Sequence, residues 1–74
     1  MYKFENHNIT ITPDSVELVS VTFNIKSEIT TAEIILTTEK SSYGTFISSA
    51  TQPTSWTTEA LNTWVNETLK QYEL

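Results

Sequence analysis

Thr57-Thr58-Glu59-Ala60-Leu61-Asn62-Thr63-Trp64-Val65-Asn66-Glu67-Thr68-Leu69-Lys70-Gln71-Tyr72-Glu73-Leu74 is the stretch of this chain whose pattern admits one reading. Leu61, Trp64, Val65, Thr68, Leu69 and Tyr72 recur at the three- and four-residue steps of one helical face. Glu59, Asn62, Thr63, Asn66, Glu67, Lys70 and Gln71 fill the other face. The spacing predicts an amphipathic helix over about 57–72. Thr57 or Ser55 can cap it, and Glu59 places negative charge in the first turn, where the helix dipole favours it. Trp56 and Leu61 stand where a hydrophobic staple would lie if Thr57 is the cap.

Upstream of this helix the periodicity changes from helical to alternating. Tyr2 and Phe4, then Ile9 and Ile11, alternate with polar residues. They read as two short strands turned at Asn6-His7, or as one strand with an irregularity over Asn6–Asn8. Thr12-Pro13-Asp14-Ser15 is a turn sequence. A long strand is predicted over about Val16–Lys26, with Val19, Val21, Phe23 and Ile25 on one face. Val16 and Leu18 break that parity, so either a bulge lies near Leu18 or the second face is also partly covered. A turn over Ser27–Thr30 leads to a strand over about Thr31–Lys40, with Ala32, Ile34 and Leu36 opposed to Ile35. Ser41-Ser42-Tyr43-Gly44 reads as the next turn, with Gly44 free to take positive φ. A strand over Thr45–Ala50 and a linker over 51–55 containing Pro53 complete the series.

The predicted fold is therefore α+β: an antiparallel β-meander of four to five strands, about residues 2–50, with one C-terminal amphipathic helix packed on one face. Residues 1–74 form a single small domain. Its core candidates are Phe4, Phe23, Phe46, Trp56, Trp64 and the aliphatic set. Without cysteine there is neither a disulfide nor a thiolate metal site to reinforce so small a core. This predicts a homo-oligomer or a subunit of a larger assembly.

Composition narrows the partners. The net charge is −5, with four Lys and no Arg. Arg is the usual bidentate ligand of phosphate and guanine, so nucleic acid is not an expected partner, and anionic membranes are disfavoured by the same deficit. The longest apolar run, Ile34-Ile35-Leu36, is far short of a membrane span, and residues 1–12 hold no signal-peptide stretch. The chain is expected to be kept inside a cell or packed into a particle. Thr supplies fourteen of the 74 residues and Gly only one. Thr suits sheet surfaces, where its methyl packs and its hydroxyl stays wet.

No motif for catalysis, metal or nucleotide binding is visible, and neither an enzymatic activity nor a cofactor is expected. Glu33 and Glu39 lie six residues apart along a strand, about 20 Å, too far for paired acid–base work. His7 stands alone between two Asn, and one glycine cannot build a phosphate loop.

The order of a V-x-F-x-I strand (Val21, Phe23, Ile25), a second strand ending near Tyr43-Gly44-Thr45, a Pro-containing linker, and a helix opening Thr57-Thr58-Glu59 with a Trp64-Val65 pair resembles small uncharacterised proteins of tailed bacteriophages. The resemblance covers roughly Val16–Leu74 and implies a phage-encoded virion or accessory protein, located in the virion or the host cytoplasm. It carries no site residues with it.

Val16, Leu18 and Ile35, apolar and of the wrong parity for the core, are the interaction candidates. They predict a non-enzymatic structural or interaction protein that assembles, with itself or with a larger virion protein, through sheet edges or the uncovered sheet face. The alternative is a small acidic inhibitor that binds a host protein.

Overall fold

A computed structural model of the chain describes residues 1–4 and 9–73. In chain order the strands are β1 (Tyr2–Phe4), β2 (Ile9–Ile11), β3 (Ser15–Asn24), β4 (Ile29–Thr37) and β5 (Ser42–Ser49). Helix α1 (Thr58–Leu69) follows and tightens into one 3₁₀ turn, Lys70–Tyr72. The fold is α+β, and every strand pair is antiparallel. The five strands form two sheets: a β1-β2 pair and a β3-β4-β5 meander. The expected turn at Asn6-His7 lies outside the described residues.

β4 is the centre of the meander, and its alternation is strict. Thr30, Ala32, Ile34 and Leu36 are buried on one face, whereas Thr31, Glu33, Ile35 and Thr37 are only half-buried on the other. β5 follows the same two-residue period, burying Thr45, Ile47 and Ser49. Onto this face pack Trp64, Val65 and Leu69 from α1, with Phe4 and Ile11 from the small sheet. Each large apolar side chain so buried contributes about 1.5–3 kcal/mol.

The bulge alternative for β3 is the one realised. Leu18 pairs with Ile34 and Ser20 with Glu33, leaving Val19 as the extra residue. The bulge resets parity, so Val16 and Leu18 join Val21 on the core side and pack against the core cluster. Val19 is displaced from the face that the alternation predicts for it and stands 51% exposed.

Both hairpin turns fall earlier than the sequence pattern suggests, because side chains rather than Gly or Pro organise them. Asn24 Oδ1 accepts from the N–H groups of Lys26 and Ser27, each at 3.0 Å, and Glu28 N–H closes on the Asn24 carbonyl at 2.8 Å. The loop is thus Ile25–Glu28, with Ile25 in the turn rather than on a strand face and Glu28 in the left-handed region at φ 57°. At the second turn Thr38 Oγ1 accepts from Lys40 and Ser41, at 3.4 and 3.3 Å. Gly44 consequently lies within β5, opposite Ile35, and needs no positive φ.

Thr57 is the helix cap: its backbone is extended and its hydroxyl accepts from Ala60 N–H at 3.3 Å. Trp64, Val65, Thr68 and Leu69 are buried, as the stripe predicts. Phe46 and Trp56 are not core residues, at 56% and 53% exposure. Phe46 shares β5 with Ile47, one residue apart, and only one of the two can face inward. Trp56 precedes the cap and lies outside the helical stripe.

Candidate interaction surface

The face of the meander away from α1 is set row by row by the strand register. Glu17, Ile35 and Gly44 form one row; Ser20, Glu33 and Phe46 the next; Thr22, Thr31 and Ser48 the third. Ile35 and Phe46 are therefore diagonal neighbours, a separation that large side chains bridge. Gly44 leaves the position beside Ile35 bare, since a Cβ placed there would meet nothing within 4 Å. Among the described residues, no second layer lies on this face, and Phe46 projects from it.

Its chemistry is mixed. Ile35 and Phe46 provide an apolar centre, Glu17 and Glu33 adjoin it, and Thr31 and Ser48 share a hydroxyl hydrogen bond at 3.1 Å. None of the three strands contains a Lys. Such a face can bury apolar atoms and accept hydrogen bonds from cations, and it has no cation of its own to neutralise the two carboxylates.

The two outer edges of the meander differ. On β5, Ser48 N–H donates to the Tyr72 hydroxyl at 3.1 Å, so the C-terminal turn occupies part of that edge. Among the described residues, β3 pairs only with β4. Along its other side runs a groove of about 550 Å³ between β3 and the start of α1, lined by Val16, Leu18, Val21, Thr58, Leu61 and Asn62 among others.

Of the three interaction candidates, only Ile35 lies on the uncovered face. Val16 and Leu18 point to the core side, because the bulge reverses the parity that made them candidates, and their remaining exposure opens into the β3 groove. The structure brings these two together and sets Ile35 apart. Phe46, Glu17 and Glu33 complete the face, and the sequence pattern alone does not single them out. The register that aligns them with Ile35 depends on the bulge and on the shifted turn, and neither is fixed by composition or periodicity.

No three or more His, Cys, Asp or Glu among the described residues group so as to hold a metal ion. Nor is any helix long and apolar enough to cross a membrane. No family model, no curated protein and no solved structure matches the chain.

Proposed function

We propose that this chain is a non-enzymatic structural or interaction protein, of the kind tailed phages encode as small virion or accessory subunits. It works by assembling, with copies of itself or with a larger virion protein, through the uncovered face and the free edge of the β3-β4-β5 sheet. The observation that carries this reading is the exposure of Phe46 beside Ile35 on a sheet face whose opposite side receives the helix. A sheet covered on one side only, with large apolar groups on the other, gains by burying them against a protein. The resemblance of residues 16–74 to phage proteins supplies the virion context.

The test is native mass over a concentration series, for the unaltered chain and for Ile35→Glu and Phe46→Glu. Assembly above the 8.4 kDa of one chain, reduced by both substitutions with the helix intact, is the expected result. A single-chain mass up to millimolar concentration, unaffected by either change, would overturn it.

A second reading is favoured by Glu17 and Glu33, which adjoin Ile35 with no Lys on the same strands. On this reading the face captures a basic host protein as an acidic inhibitor, by charge complementarity. It requires one-to-one binding that weakens with added salt.

A further inference from the structure

We infer that the free edge of β3 pairs with β3 of a second copy of this chain, antiparallel across a two-fold axis near Val19 and Ser20, to make one continuous six-stranded sheet. This rests on the assembly reading above and identifies one surface and its occupant.

The pattern of β3 carries the inference. A two-fold pairing is isologous: if residue i meets j, then j meets i, and both must point to the same side of the sheet. The core-side residues of β3 are Val16 and Leu18 before the bulge, then Val21 and Phe23 after it, all half-buried. The residues of the opposite face are Ser15 and Glu17 before it and Ser20, Thr22 and Asn24 after it. Placing the axis between Val19 and Ser20 sets Val16 against the partner's Phe23, Leu18 against the partner's Val21, and Glu17 against the partner's Thr22. Core side meets core side, outer face meets outer face, and the single carboxylate of the strand is not brought against its own copy. An unbulged strand of this sequence would put core residues against surface residues in that register, because its faces would alternate without interruption. The bulge makes the strand self-complementary.

The edge lacks two further guards. Its ten residues include no Lys and no Pro, two of the devices that keep an edge strand single, and its bulge is matched by the partner's across the axis, whereas the β5 edge is partly occupied by the Tyr72 hydroxyl. The groove of about 550 Å³ beside Val16, Leu18, Val21 and Leu61 leaves room on the core side for the partner's apolar residues. Val19, unpaired with β4 and 51% exposed, stands at the axis.

The experiment measures mass by sedimentation equilibrium in the Ile35→Glu background, which disables the sheet face and leaves the edge untouched. The expected species is a dimer of about 17 kDa, twice the 8.4 kDa chain. Adding Val19→Lys, or separately Ser20→Lys, places like charges across the axis and should weaken the dimer about 100-fold or more, with far-ultraviolet circular dichroism unchanged. Mixing Val19→Lys with Val19→Glu chains should restore a mixed dimer, a rescue that a purely structural role for Val19 does not produce. A monomer in the Ile35→Glu background, from a parent chain that assembles, would overturn the edge pairing and leave the face reading standing. A dimer that survives both Lys substitutions would also overturn it, whether its occupant is the β5 edge or the sheet face. A parent chain monomeric at all concentrations would overturn both readings.

Discussion

The indole N–H of Trp64 donates to the carbonyl of Thr51 at 2.6 Å, fastening the middle of α1 to the segment that leaves β5. One side chain thus fills the core and satisfies a linker carbonyl. Trp64→Ala should lower stability by about 3–5 kcal/mol, the range for removing a buried aromatic, a large part of what holds a domain of this size. Asn66→Ala, on the exposed face of the same helix, should cost less than about 0.5 kcal/mol. Thermal or denaturant melts of the two variants check the assignment, and equal losses would contradict it.

Thr30 should be improved by losing its hydroxyl. Its side chain is fully buried, and Oγ1 has no hydrogen-bond partner among the described residues. An unsatisfied buried polar atom costs about 1–3 kcal/mol, so Thr30→Val, which keeps the β-branch and replaces the hydroxyl by methyl, should raise stability by about 1 kcal/mol. A denaturation midpoint that falls would show that the hydroxyl is satisfied in solution.

Gly44 occupies a strand position that any β-former can adopt. Its φ is not positive, and a side chain there meets open space. Gly44→Thr should therefore stabilise the fold by up to about 1 kcal/mol, through lower unfolded-state entropy and better strand propensity. Loss of stability on substitution would mean that the bare position is filled in solution by something that excludes a side chain.

Tyr72 should protect the β5 edge through its hydroxyl. Tyr72→Phe keeps the ring packed against Phe4, at a centroid distance of 5.4 Å, but removes the acceptor of Ser48 N–H. Amide exchange at Ser48 should accelerate, with a stability loss of about 0.5–1 kcal/mol. Unchanged exchange would place the protection of that amide elsewhere.

The helix was legible because its apolar residues obey one period over four turns and its cap has few competitors. The core face of β4 was legible for the same reason, with period two. The partition of the strands into two sheets was not: Thr12-Pro13-Asp14 looks like any hairpin turn, and nothing local says whether the strands beside it pair. The two turns shifted because Asn24 and Thr38 fold the backbone with their side chains, a signal spread over residues that otherwise suit strands. The uncovered sheet face was legible only in part. Ile35 was identifiable from its neighbours, but assigning Phe46 needed the β5 register. The side taken by Val16 and Leu18 depends on the bulge, and the alternation of the sequence alone does not say whether the strand is bulged or covered on both faces.

The bulge at Val19 also determines how this strand tolerates changes in length. Removing one residue of β3 outside the bulge would turn side chains to the opposite face, exchanging the Val21 side for the Thr22 side. Removing Val19 itself would leave Leu18 and Ser20 adjacent, with partners Ile34 and Glu33 already adjacent on β4. The strand would become regular, and all its faces would be preserved. The bulge, positions 19 and 20, is thus the place in β3 where one codon can be lost with the inside and outside of the sheet unchanged. Sequences that differ in length here can share one structure, and an alignment gap at this position would mark conservation of the fold.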